Sequence, residues 1–408
     1  MGLLLVEHNI AEPALYGAAA AAVASARQCR MMHLPARFDT GQHADAVQHV
    51  VAAGGLAASG LCWFERLNGQ PVSSAATVDD IVTAAKQAEV VVPVHPRFVD
   101  TPELVRLLTR SAADSGIRVE AIHIERDGNA LRERATGLPV AWRDSFGRIT
   151  AFDRSSVGGQ TSLQIGLIGS ESDHRDVYPA ALASLADAAD ALSVDLDIRF
   201  VDPMSLTGPN DCAELQTLSG ILLPGGAAMK NVPGQIEAAA ASLASGLPTV
   251  GLCLGMQTMA TAIAWRAFGR GTANLAEADP DAAIKTFVPL EGQSGPDGKS
   301  LPDHRTGEWM TRVVDGTQLS LILPMTTPVR YNHRFRLDPQ LLPALRLAGM
   351  QVSAEGFGGA IVDAIEDRDH PFFIGMQGHP ELSSSDRKPH PLLTAFLVAA
   401  REHKPRTE

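Results

Sequence analysis

"VGLCLGMQ", Val250 to Gln257, is the stretch that decides the fold of the larger part of this chain. Apolar residues run up to Leu252, Cys253 follows, and "LGMQTMATAIAWRA" continues with helical spacing. That order describes a strand turning sharply into a helix, with the cysteine at the turn and two small neighbours, Gly251 and Gly255, that let the backbone make it. Such an elbow holds its side chain out at the carboxyl edge of a sheet. A sulfur at a helix N-terminus faces the positive end of the macrodipole, which favours thiolate. The peptide N–H of Leu254 then points at any carbonyl the sulfur attacks and supplies half of an oxyanion hole.

A thiolate nucleophile needs a base, and the base needs an orienting group. In "PFFIGMQGHPE", Pro371 to Glu381, a strand-like run ends at Gln377, and His379 and Glu381 follow at i, i+2. That spacing lets a carboxylate fix one imidazole nitrogen while the other faces the sulfur. Taken singly, a cysteine among small residues is more often part of a core, and a histidine near a strand end is more often simply hydrogen-bonded. The conjunction of the three favours chemistry.

Around this elbow the pattern is α/β. "LQIGLIGS" (163–170), "VDLDIRFVD" (194–202) and "GILLPGG" (220–226) read as strands, with a helix near 178–192 and another before "LPTVGLCLG". Residues 1–130 alternate in the same way. The expected strands are "LLLVEH" (3–8), "CRMMHL" (29–34), "GLCWFE" (60–65), "VVVPVH" (90–95) and "VEAIHI" (119–124). "TPELVRLLTRSAADSG" is a helix with Thr101 as N-cap and Gly116 as its stop. This alternation argues for a parallel layer, and Pro93 points to an edge position for its strand. Residues 131–162 mix charge, Gly and Ser without a sustained period and are expected to form a linker or a small hairpin. The expected domains are therefore 1–130 and 163–408.

At 408 residues the chain is long enough for two domains or more. A net charge of −12 without a basic stripe disfavours nucleic acid, and no apolar run approaches the length of a membrane span. The N-terminus lacks the basic start of a secretory signal, so a cytoplasmic protein is expected. Cys29, Cys62, Cys212 and Cys253 form no CxxC pair, which fits neither a disulfide framework nor a zinc site. "EGQSGPDGKS" (291–300) has Gln293 where a phosphate loop needs glycine. With no such loop anywhere, no cofactor is expected, and no metal.

"GLCLGMQ" together with "GHPELSSSDRKPHPLL" resembles the class I glutamine amidotransferases, and within them the glutaminase domain of CTP synthase. The resemblance covers about 165–402. It implies a flavodoxin-like domain, mostly parallel with helices on both faces, in which Cys253 is the nucleophile, His379 the base and Glu381 its partner. It further implies that Gly225 supplies the second oxyanion-hole amide beside that of Leu254, and that Gly226, Gln257, Glu277 and Arg334 bind the substrate. A carboxylate for an ammonium and a guanidinium for a carboxylate would select free L-glutamine. Three departures stand out: "PGGAA" with Ala227 where that family has an aromatic residue, "MKNVPG" in place of an arginine-bearing stretch, and "MTRV" (310–313). They argue against GTP activation.

The family's amidoligase is not recognisable in the first 160 or so residues, so CTP synthesis is not expected. Four of the five expected strands there end in or beside histidine: His8, His33, His95 and His123. Carboxyl ends of parallel strands line ligand crevices, so a second polar site is one reading, with Glu7, Arg97, Glu125 and Arg126 adding charge. Solvated strand ends are the other. The function expected overall is a glutamine-dependent amidotransferase passing ammonia to an acceptor in the first domain or on a partner synthetase. A stand-alone γ-glutamyl or glutamine hydrolase and a non-catalytic metabolite-binding subunit are the alternatives. A homo-oligomer is open to each of them.

Overall fold

The computed structural model describes residues 2–39, 41–95, 101–154, 162–296 and 298–403. They divide into two compact units, Met1–Val157 with Glu171–Ala183, and Gly158–Ser170 with Ser184–Glu408.

The first unit is built on a seven-stranded sheet. Its parallel half comprises β1 (Gly2–His8), β2 (Arg30–Met31), β3 (Glu89–Val94) and β4 (Val119–Asp127), in the order β2-β3-β1-β4. Alternation along β1 sends Leu4 and Val6 into one apolar cluster and Leu3 and Leu5 into another, so both faces are covered. One cover is the helix Ala18–Arg27, whose run of alanines is small enough to lie close against the sheet. Pro93 is tolerated inside this sheet because β2 pairs only as far as Val91, leaving no neighbour to miss its N–H.

Two expectations change here. Residues 60–65 are not a strand but the 3-10 turn Ser59–Leu61 followed by the helix Cys62–Asn68. A brief apolar run reads alike as a buried strand or a buried helix. Here the fully buried Trp63 donates Nε1–H to the Ala14 carbonyl at 2.6 Å, and Gly69 at φ 68° ends the helix. The stretch after β4 is neither a linker nor a lone hairpin. β5 (Ala130–Glu133), β6 (Pro139–Arg143) and β7 (Ile149–Thr150) form an antiparallel meander that continues the first sheet. Buried Leu131, Ala141 and Ile149 join the same core as Leu4. Arg143 reaches Asp176 at 2.9 Å, which draws 171–183 into this unit. Thr101 is the first residue of its helix, Thr101–Asp114, and the residues before it lie outside the described residues.

The second unit has a nine-stranded sheet. In chain order its strands are β8 (Ser162–Ile168), β9 (Asp195–Val201), β10 (Gly220–Leu223), β11 (Thr249–Leu252), β12 (Arg305–Val313), β13 (Thr326–His333), β14 (Met350–Gly356), β15 (Ile361–Asp367) and β16 (Phe373–Met376). The spatial order is β9-β8-β10-β11-β16-β15-β14-β12-β13. The run from β9 to β16 is parallel, and the run from β16 to β13 is antiparallel. The parallel run is the part the apolar strand pattern anticipates. The antiparallel extension draws β12 from a region, 279–318, that shows no sustained period. Helices Val232–Ser245 and Leu254–Phe268 pack their apolar sides into one core cluster with Leu223, Ile221 and Phe373. No helix among the described residues is long and apolar enough to cross a membrane.

Candidate active site

Cys253 sits between β11 and the helix Leu254–Phe268 with φ 50° and ψ −104°. A non-glycine residue held there costs about 1–3 kcal/mol, which the surroundings must offset. Two backbone hydrogen bonds do so: Cys253 N–H donates to the Met376 carbonyl at 2.7 Å, and Gln257 N–H donates to the Cys253 carbonyl at 3.3 Å. The two flanking glycines are required by space. A Cβ on Gly255 would stand 2.0 Å from the Leu223 carbonyl oxygen, and one on Gly251 would stand 2.3 Å from Met259 Sδ. Leu254 is the first residue of the helix, so its N–H has no partner within the helix and is free to face a substrate oxygen.

β16 runs parallel to β11, with Leu252 opposite Met376. The chain therefore leaves the sheet beside the elbow and brings His379 to it. His379 N–H donates to the Arg330 carbonyl at 2.8 Å, and a Cβ on Gly378 would be 2.2 Å from Val329 Cγ1, so the loop lies tight on β13. His379 Nδ1 is 2.7 Å from Glu381 Oε1, and both side chains are buried. Burial pushes the imidazole down, yet the charges of Cys253 and Glu381 and hydrogen bonds to both outweigh it and hold His379 well above the usual histidine range. Gly225 closes the other side: a Cβ there would lie 3.3 Å from Cys253 Cβ and 3.4 Å from His379 Cε1.

The sulfur has two further neighbours. Its S–H donates to the Asn332 carbonyl at 3.8 Å, and Gln377 Nε2 donates to Sγ at 3.7 Å. Gln377 Oε1 in turn accepts from Gln257 Nε2 at 3.2 Å, both side chains being buried. The role of Gln377 in contacting the sulfur is not evident from spacing; its only signal is a polar residue closing an apolar strand just before "GHPE". Beneath β13, the fully buried Arg305 forms a two-pronged pair with Asp363, at 2.5 and 3.1 Å, and stacks 3.4 Å over the Tyr331 ring. Next to it, burial and Arg305 together push His333 down to about 3.

Glu277 and Arg334 are exposed. The protein packed around Glu277 raises its carboxyl above the usual range, against the opposing pull of Arg334. The two charges thus lie within electrostatic reach of each other. Gly226 is exposed one residue past Gly225.

In the first unit the four histidines are brought together in part: His8 and His123, with Glu7 and Glu125, line one small pocket. His8 and His95 also meet, ring centroids 5.3 Å apart and edge to face, both buried at the ends of neighbouring β1 and β3. Burial and then His95 push His8 down to about 3. His33 lies two residues past β2, with its ring nitrogens 3.1 Å from the Leu34 carbonyl and 3.0 Å from that of Ser73. His123 falls inside β4, with its side chain 60% exposed, and pairs with Glu7 at 2.9 Å. Glu125 pairs with Arg134 and Arg126 with Glu12, while Arg97 lies outside the described residues. Among the described residues no group of His, Cys, Asp and Glu could hold a metal ion.

The family model for class-I glutamine amidotransferases matches residues 174–399, more than half of the chain. The chain belongs to that family. CTP synthase of Roseiflexus castenholzii is 32% identical over 266 residues, 64% of this chain and 46% of the relative. A CTP synthase of Thermus thermophilus is 30% identical over 253 residues, 60% of this chain and 46% of the relative. The amidotransferase domain thus spans, with its flanks, about half the length of the CTP synthases it matches. Among solved structures, the glutaminase domain of Trypanosoma brucei CTPS with bound acivicin superposes with a TM-score of 0.55 at 26% identity, over 59% of this chain and 95% of that domain.

Proposed function

We propose that this amidotransferase hydrolyses L-glutamine at Cys253 and delivers the ammonia to an acceptor. The observation that carries the reading is the buried His379–Glu381 pair standing against a cysteine held in a left-handed elbow at a helix N-terminus. The Cys253 thiol gives its proton to His379 Nε2 and Sγ attacks the side-chain amide carbon, the C–S bond forming while the carbonyl π pair moves to oxygen. The amides of Leu254 and Gly225 stabilise that oxygen. His379 gives its proton to the departing nitrogen as the C–N bond breaks, leaving a γ-glutamyl thioester and ammonia. Water, losing a proton to His379, then cleaves the thioester to glutamate and restores the thiol. Glu381 keeps Nδ1 protonated so that Nε2 does this work.

Gln257, Glu277 and Arg334 would hold the α-ammonium and α-carboxylate groups, which distinguishes a free amino acid from a peptide amide. The acceptor would be bound by the first unit or by a partner synthetase. CTP is not the product we infer, because no G-x-x-x-x-G-K-[ST] phosphate loop occurs in this sequence.

The test is ammonia and glutamate release from L-glutamine by the purified chain and by Cys253→Ala, together with labelling by a glutamine-like electrophile. Release that disappears in the variant, with label on Cys253, is expected. Neither release nor labelling in the unaltered chain would overturn the glutamine assignment.

A further inference from the structure

We propose that Gln377 is a positioning residue that ties the state of the Cys253 sulfur to the orientation of Gln257. The inference deepens the glutaminase reading and rests on it for the meaning of Gln257 as a substrate contact. Two contacts carry it: Cys253 Sγ receives Gln377 Nε2 at 3.7 Å, and Gln377 Oε1 receives Gln257 Nε2 at 3.2 Å. Gln377 is fully buried and Gln257 nearly so, leaving little water to replace either bond.

The polarity of this chain is dictated from the sulfur end. A thiolate accepts and cannot donate, so the amide group of Gln377 nearest to it must be the NH2. Its carbonyl oxygen then faces Gln257, which must answer with its own NH2. The remaining polar atom of Gln257, the carbonyl oxygen, is thereby fixed as an acceptor, the role an α-ammonium group requires. Were either amide turned end for end, a carbonyl oxygen would oppose the thiolate or another carbonyl oxygen.

The Asn332 carbonyl acts in the opposite sense. At 3.8 Å it accepts S–H and so favours the neutral thiol. Gln377 offers a donor to the sulfur in both states and gains strength when the acceptor is charged. The other ionisable groups around the sulfur are His379 with Glu381 behind it, His333 and Arg305 under β13, and His304, whose Nε2 is 2.8 Å from Asn332 Oδ1. None of them can set the polarity of the Gln257 amide, because none is hydrogen-bonded to it.

The experiment uses the full chain with Gln377→Met, which removes both hydrogen bonds at similar volume, and Gln377→Glu, which keeps an acceptor for Gln257 but places a carboxylate at the sulfur. Alkylation of the Cys253 peptide by iodoacetamide is followed by mass spectrometry against pH, so that glutamine binding plays no part. Steady-state glutamine kinetics are measured alongside. In both variants the half-maximal pH for alkylation is expected to rise by about one unit, a roughly tenfold loss of reactive sulfur at a given lower pH. KM for glutamine is expected to rise about tenfold in Gln377→Met and less in Gln377→Glu. A half-maximal pH unchanged in both folded variants would overturn the proposal, as would equal KM values in all three proteins. If the unaltered chain turns over no glutamine while the alkylation profile still moves, the glutaminase reading fails and the sulfur contact stands.

Discussion

Nδ1 of His379 stands 2.7 Å from Oε1 of Glu381, with only Pro380 between them in the chain and both side chains buried. The carboxylate therefore selects the tautomer of the imidazole and supports its charged form. Replacing Glu381 by Gln is expected to lower kcat by about 10²- to 10⁴-fold with a smaller change in KM. Steady-state kinetics on L-glutamine, with circular dichroism as the folding control, check this.

The same pair makes a prediction about stability. The folded protein holds His379 above its ordinary value, so its contribution is complete below about pH 6.5 and is lost as the pH rises through the raised value. Urea unfolding of the wild type and Glu381→Gln should differ more at pH 6 than in the alkaline range.

Histidines held neutral by burial act in the opposite direction. His8 and His333, both pushed down to about 3, and His390, down to about 4, take up protons on unfolding as the pH drops below about 6.5. Each costs up to about 1.4 kcal/mol of stability per pH unit across that window. The unfolding midpoint should fall steeply between pH 6.5 and 5, and His8→Gln should flatten the slope for the first unit.

The elbow glycines can be tested by one methyl group. Gly255→Ala would set a Cβ 2.0 Å from a backbone oxygen, and a loss of about 3 kcal/mol or more is expected, with loss of activity. Gly208→Ala, where a Cβ meets nothing within 4 Å and φ is extended at −170°, should stay within about 0.5 kcal/mol. Thermal unfolding of the two variants distinguishes them.

Removing one member of the buried Arg305–Asp363 pair leaves an uncompensated charge. Arg305→Met or Asp363→Asn should each cost about 3–5 kcal/mol, whereas Arg305→Met with Asp363→Leu should recover much of it. Urea denaturation of the single and double variants measures the difference.

The elbow was legible because three constraints coincide in eight residues: an apolar strand, small neighbours and a helical period. His379 and Glu381 were legible because i, i+2 spacing suffices to place a carboxylate on an imidazole. The helix at Cys62–Asn68 was not, since Trp63 and Phe64 are apolar in either conformation and the hydrogen bond from Trp63 to Ala14 spans distant parts of the chain. The strands β5 to β7 were hidden for a related reason. Apolar residues are mixed with charge and glycine between 130 and 150 without regular alternation, and only the finished sheet shows that Leu131, Ala141 and Ile149 are the ones that join the core. The sulfur contact of Gln377 depends on side-chain polarity across two elements, which local pattern does not encode.

The pairing of Leu252 with Met376, together with the bond from His379 N–H to the Arg330 carbonyl, makes the separation of sulfur and imidazole a property of the backbone. A slip of one residue would carry one partner about 3.3 Å along the strand and turn alternate side chains over. Because main-chain bonds carry that alignment, side chains elsewhere on the unit are free to diverge without detuning the reaction. A module with its working distance built in this way can be moved between proteins and matched to new neighbours while its own chemistry stays intact.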